Sequence, residues 1–419
     1  MVEMPSHRHA PAVRVEERSG ASAFDLFSLP EAYFEDPFPY FKQLRDHSPI
    51  HINPDGSLLL TRYDDVKLLW RDLSGLVDKR QMFETRFGDG PLLEHHTTSM
   101  LFRDPPDHDR LRAFVNPFFT QSSIDRLRLF IIETVDRLME DVAEQGDLNF
   151  VRDFAFRLPI AVICRILGVP QEDGDHIHQL GARILYPLNP QVSDDAIANG
   201  HKATAAFKDY LRDYVKAARR RTDLDPTADI VSALVAAERH GEQISEEEIL
   251  HMCILMLNGG HETTTNLIAV SLHALLDQPD QLQLLRDEPE IVPTAVEELI
   301  RFVSPLQLQG RRTTRSVSLP SGVVPADTEV IVCQASANRD ERVFADPNLL
   351  NLRRRPNPHV AFGAGIHVCI GRPLARLEAG IALPKILKRF RRIERTGNPV
   401  FNRNARFRGL ASLPLRLQQ

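Results

Sequence analysis

Cys369 lies in FGAGIHVCIGRPLARLE (362–378), two residues after His367 and among Gly363, Gly365 and Gly371. Glycines so placed let the backbone turn sharply and let something large and flat approach closely. The pattern then becomes helical. Pro373 suits a first helical turn, and Leu374, Leu377 and Ile381 follow on or near one face. A cysteine just ahead of a helix is expected to have a lowered pKa, because the terminal amides stabilise its thiolate. One thiolate held in such a turn suits a single soft bond to one metal. A zinc site would need further Cys or His ligands at close spacing, and a dinucleotide-binding GxGxxG fails because position 368 is valine. A buried free cysteine would explain the sulfur but neither the glycines nor His367. The other cysteines, Cys164, Cys253 and Cys333, sit in apolar stretches and read as core.

A second cluster, NGGHETTTN (258–266), falls inside a helical pattern that runs from Ser245 to Leu276. Ser245 and Glu248 form a capping box at its start. Two glycines inside a helix cost about 1 kcal/mol each relative to alanine. A core helix that tolerates them gains something at that place. Glu262 and Thr263 offer a carboxylate able to relay protons and a hydroxyl able to hold a water. A metalloprotease-like HExxH fails because position 265 is threonine. Two short helices meeting at a loop, or a kink needed only for packing, are the structural alternatives.

FGAGIHVCIG (362–371) resembles the haem-binding loop of the cytochrome P-450 family, the haem-thiolate monooxygenases, with its Phe-Gly-x-Gly-x-His-x-Cys-x-Gly spacing complete. The resemblance implies haem b with Cys369 as axial ligand of the iron, in a loop that includes Phe362 and Gly363. It identifies the 258–266 cluster with the family's distal helix. There Gly260 would let oxygen and substrate approach, and Glu262 and Thr263 would be the acid–alcohol pair. Gly259 stands where alanine is commoner, which is expected to alter pocket shape. Glu298 and Arg301, three apart in EELIR, resemble the family's structural ion pair. Arg354 is taken as their third partner, with Arg353 and Arg355 as neighbours that could replace it. Propionate donors are implied at His108 and Arg112, four apart in DPPDHDRLR, at Arg311 (or the adjacent Arg312), and at His367.

The family also places substrate contacts in recurrent segments. On these Phe83, Leu92, Leu93, Leu257, Leu306, Leu308 and Leu410 are the expected apolar pocket. Arg80, Arg86, His95 and His96 in the first such segment raise the question of a substrate carboxylate. Arg110, Arg372, Arg376 and Lys388 would form a basic patch on the cysteine side. The implied reaction inserts one atom of O2 into an apolar or aromatic small molecule, hydroxylation being the simplest form. Electrons would come from a separate iron–sulfur ferredoxin or flavodoxin with its reductase. A peroxide-dependent or non-oxygenating haem-thiolate enzyme is the alternative, and a non-enzymatic haem sensor a more distant one.

The elements that must position these residues are mainly helical. The patterns at 123–146, 156–170 and 195–221 read as helices, and those at 57–63 and 316–334 as short strands. With 419 residues, 42% of them hydrophobic, the chain can bury a large core. The expectation is a mainly α protein with small β-sheets, one triangular domain over 25–419 holding haem between a long distal helix and the cysteine loop, and a flexible leader over 1–24. A formal net charge of -6 gives no reason to expect nucleic acid, and no segment reaches the roughly 18 uninterrupted apolar residues of a membrane span. Four scattered cysteines suggest a reducing compartment. A cytoplasmic monomer is therefore expected.

Overall fold

The computed structural model describes residues 24–72 and 75–419, so the leader read over 1–24 lies almost wholly outside the described residues. The chain is mainly α with small β-sheets, as expected. The pattern at 123–146 forms two helices, Gln121–Arg126 and Arg128–Ala143, broken at Leu127. The helix ends three residues before its glycine. Arg157–Leu167 stops where Gly168 takes φ +89°. Only glycine adopts that conformation cheaply, and a Cβ there would also lie 2.5 Å from Asp229 Cγ. Asp194–Arg220 begins with the Ser193 hydroxyl accepting the Ala196 N–H.

The stretch at 316–334 makes three strands, Val317–Leu319, Gly322–Val324 and Glu329–Cys333. The last joins a five-stranded sheet with Leu308–Thr313 antiparallel on one side and Leu58–Leu60 parallel on the other. Ile50–Ile52 and Gly75–Leu76 form the two edges. Sequence reading found the central strand but neither edge, because strands of two or three residues carry too little alternation to be recognised.

Glu246–Leu276 is one continuous helix of 31 residues, through both glycines and all three threonines. At 1.5 Å per residue it spans about 46 Å. Its capping box forms, with the Ser245 hydroxyl accepting from Glu248 N–H and the Glu248 carboxylate from Ser245 N–H. Neither a loop nor a break is present. Tertiary burial outweighs the local reluctance: nearly every residue from Ile249 to Leu257 and from Thr264 to Leu272 is buried. Helix Arg157–Leu167 packs along one side, and Arg372–Arg389, which follows the cysteine, packs against it as well. The largest core runs through these helices, and two smaller clusters lie under the five-stranded sheet and the first helices.

Candidate functional site

The cysteine loop is built from glycine conformations. Gly363 and Gly365 take φ +71° and +74°. A Cβ at Gly365 would stand 2.3 Å from the Trp70 carbonyl oxygen, so no larger residue fits against that backbone. Cys369 N–H donates to Phe362 O at 2.9 Å, which closes the loop. Helix Arg372–Arg389 starts immediately behind, with Pro373 in its first turn. Among the four cysteines Cys369 alone is accessible. The other three are buried, and burial pushes each thiol up to about 12.

The expected lowering of the Cys369 pKa is not found. Burial of the surrounding loop raises this thiol above its ordinary value. The backbone N–H groups of Gly371 and Arg372 and the guanidiniums of Arg112 and Arg372 act in the opposite direction without overcoming it. The helix-terminus argument has the right sign, but desolvation is larger.

Around the loop the structure gathers donors. Arg112 Nη2 donates to Val368 O at 2.8 Å, beside the cysteine. The rings of His108 and His367 lie 4.2 Å apart between centroids. His108 uses Nδ1 on Asp109 at 2.8 Å, while its buried Nε2 has no partner. His367 Nε2 is likewise unpartnered by a hydrogen bond, 3.8 Å from Asp104 Oδ1. Arg311 is 6% exposed, has no carboxylate partner among the described residues, and makes one hydrogen bond, to Gly310 O. Burial lowers its pKa to about 10. Arg312, the adjacent alternative, is paired with Asp327 at 2.6 Å. Buried donors left unsatisfied are costly unless an acceptor arrives. A sulfur ligand flanked by such donors fits haem b, which brings iron and two propionates.

On the long helix, Gly260 is not on the open side. A Cβ there would stand 2.6 Å from Ile163 Cγ1 of the neighbouring helix, whereas at Gly259 it would meet nothing within 4 Å. The expectation that Gly260 admits oxygen and substrate is corrected: Gly260 permits helix packing, and the open position is Gly259. Thr263 Oγ1 reaches back to Gly259 O at 3.4 Å. Burial raises the pKa of Glu262, opposed by His178 and by a 3.4 Å hydrogen bond from Asn266 Nδ2. His178 Nδ1 and His261 Nε2 are 3.0 Å apart, and one ligand atom from each of these histidines and Glu262 lies within 4.8 Å of the others. Sequence reading missed His178, which comes from helix Gly174–Leu185; nothing local marks it.

Glu298 and Arg301 are fully buried and joined by two hydrogen bonds of 2.7 and 2.8 Å. Arg354 Nε adds 3.1 Å contacts to both Glu298 oxygens. Arg353 instead pairs with Glu288, and Arg355 reaches Thr294.

A cavity of about 490 Å³ opens between helix Arg80–Phe87, strand Leu308–Thr313 and the segment before Leu410. Of the expected pocket residues, Phe83 and Leu308 line it. Leu92, Leu93, Leu257 and Leu410 are buried in the main core, and Leu306 bridges to Phe407. Leu92 is held there by Gly200, whose missing side chain leaves it room. Arg86 lines the cavity, but Arg80, His95 and His96 do not. His96 is enclosed by Phe83, Phe87 and Phe102, His95 by His251, and burial holds both histidines well below their usual pKa. The expected basic patch is also reduced. Arg110 is paired with Glu248 and Asp107, and Arg376 with Glu297, which leaves Arg372 and Lys388.

Comparison with known proteins agrees with this geometry. The family model described as Cytochrome P450 matches residues 33–418. The chain is 34% identical to a cytochrome P450 of Bacillus subtilis (strain 168), over 92% of this chain and 95% of that protein. It is 35% identical to the vitamin D(3) 25-hydroxylase of Pseudonocardia autotrophica, over 88% and 89%. Among solved structures, CalO2 superposes with a TM-score of 0.88 at 30% identity, over 95% of this chain and 99% of that one.

Proposed function

The chain belongs to the cytochrome P450 family and is a haem-containing monooxygenase; on that premise we propose that it hydroxylates an apolar or aromatic small organic molecule with electrons from a separate ferredoxin or flavodoxin. When bound, haem would supply iron for the activation of O2, and Cys369 would hold that iron through its sulfur. Arg112, Arg311, His108 and His367 are the donors for its propionates. Phe362 closes the loop from the other end through its carbonyl, and Gly363 supplies the turn.

The observation that carries the oxygenating reading is Glu262. Burial raises the pKa of this carboxyl, which favours its protonated form. It sits one residue from the Thr263 hydroxyl and one turn from the open Gly259. Oxygen insertion consumes two protons per turnover, and this pair can hold and pass them at the Glu262 Oε and Thr263 Oγ1 atoms. A peroxide-using enzyme needs no such relay.

The test is turnover with isotopically labelled O2, NADPH and a ferredoxin–reductase pair. Label should enter the product, and Thr263→Ala should divert reducing equivalents to hydrogen peroxide. Unlabelled product, with turnover supported by added peroxide alone, would establish the peroxide-dependent alternative.

A further inference from the structure

The cavity at the edge of the five-stranded sheet carries more positive charge than a haem requires. Five basic side chains line it, Lys79, Arg86, Arg311, Arg312 and Arg406, against two acids, Asp55 and Glu329. Two of the five are neutralised in place. Lys79 Nζ lies 3.1 Å from Glu329 Oε1, and Arg312 is paired with Asp327. Arg311 is assigned above to a propionate. Arg86 and Arg406 remain.

Neither has a carboxylate partner among the described residues. The Arg86 guanidinium donates only to the backbone carbonyl of Asn189. Among the described residues the Arg406 guanidinium makes no hydrogen bond, and its buried Nε is unpartnered. Its Cζ lies 5.7 Å from the centre of the Phe407 ring. Asn189 ties the two together. Its carbonyl takes Arg86, and its Oδ1 accepts the Arg406 backbone N–H at 3.2 Å. Arg406 O in turn accepts from Gln307 N–H at 2.7 Å, so the backbone that carries this guanidinium is fixed at both ends. Two arginines are thus held at one cavity wall, Arg86 within electrostatic reach of Glu329 and Asp55 and Arg406 opposed by Arg86. Burial, then Arg86 and Arg311, bring the Arg406 pKa down to about 10. Partly burying guanidiniums that have no carboxylate partner is unfavourable unless an anion joins them. Apolar residues, among them Met82, Phe83, Leu101, Phe102 and Leu188, make up much of the remaining wall, with Ser57, Gln81, Thr85 and Gln309 between them. The volume falls within the roughly 300–1,000 Å³ of small-molecule sites.

We propose that Arg86 and Arg406 form a subsite for the carboxylate of the substrate, which is an organic acid with an apolar body. This rests on the monooxygenase reading and narrows its substrate class. Planar guanidiniums suit a carboxylate because each can offer it two parallel N–H donors.

The experiment uses the haem-loaded enzyme and two matched pairs of probes: dodecanoate with dodecanol, and biphenyl carboxylate with biphenyl methanol. Affinity is read by calorimetry and by the ferric spin-state shift. At least one carboxylate should bind at least about tenfold more tightly than its alcohol, a difference of about 1.4 kcal/mol. Arg86→Gln and Arg406→Gln should each remove most of that preference, and leave alcohol affinity and the reduced carbon monoxide spectrum unchanged. Arg312→Gln, on the same rim but already paired, should leave the preference intact. Equal affinity within both pairs, no carboxylate binding, or a preference that survives in the double variant would overturn the proposal. So would loss of haem from the variants with the preference retained, which would assign these arginines to the propionates. The spectrum of the unmodified enzyme reports on the monooxygenase reading separately.

Discussion

Gly260 faces Ile163 so closely that a single added carbon would stand 2.6 Å from the isoleucine Cγ1. The long helix and helix Arg157–Leu167 meet there. Gly260→Ala should therefore destabilise the fold by about 1–3 kcal/mol through overpacking. Gly259→Ala, with open space around it, should be neutral or stabilise by up to about 1 kcal/mol. A thermal-unfolding double-mutant cycle with Ile163→Ala checks this: the cost of Gly260→Ala should fall sharply when Ile163 is absent, whereas that of Gly259→Ala should not change.

Removing one carboxylate should be more damaging than removing an exposed arginine. Glu298 takes Arg301, Arg354, Asn357 Nδ2 and the Asn351 backbone N–H. Glu298→Ala leaves two buried guanidiniums uncompensated, a loss of about 3–5 kcal/mol. Arg353→Ala breaks only an exposed pair with Glu288 and should cost less than about 1 kcal/mol. Yield and unfolding midpoint of the two variants, compared side by side, give the answer.

Acid sensitivity should be traceable in part to Glu297. Burial would raise its pKa, but hydrogen bonds from Arg376 and His359 outweigh that and bring it down to about 2. Its folded pKa lies below the unfolded value, so its stabilisation is complete above about pH 4.5 and lost as pH falls toward 2. Glu297→Gln should lower the unfolding temperature at pH 7, and the gap to the unmodified protein should narrow as pH drops through that window. A constant gap at every pH would mean that Glu297 acts by shape alone.

The relay at Glu262 can be separated from its charge. Glu262→Gln keeps the shape and the Asn266 contact but cannot exchange the proton. It should slow turnover roughly 10²-fold or more while leaving substrate affinity unchanged. His178→Ala removes a group that lowers the Glu262 pKa, and should move the alkaline limb of the pH–rate profile upward. Parallel profiles for the variant and the unmodified enzyme would exclude His178 from this role.

What the sequence made legible was local. The loop around Cys369, the capping box at Ser245 and the i,i+3 spacing of Glu298 and Arg301 are all written within a dozen residues. Hidden features depend on which residues meet across the fold. Gly259 and Gly260 are adjacent and chemically identical, and only the position of Ile163 shows which one faces open space. His178 and Arg406 sit in unremarkable stretches and gain meaning from Glu262 and Arg86, which are distant in the chain. Leu308 lines the cavity while Leu92, Leu93, Leu257 and Leu410 lie in the main core, because an apolar residue in a core helix and one in a pocket wall look alike in sequence. The Cys369 pKa failed differently: the sequence shows the helix amides but not the desolvation that opposes them.

The central claim is that Cys369 ligates haem iron as a thiolate. The most direct measurement is the absorption spectrum of the dithionite-reduced protein with carbon monoxide, for the unmodified chain and for Cys369→His. The account predicts a strongly red-shifted Soret band in the first and its loss in the second, with haem retained through the unchanged propionate donors. A histidine-type Soret position in the unmodified protein, or a red-shifted band that survives the substitution, would contradict it.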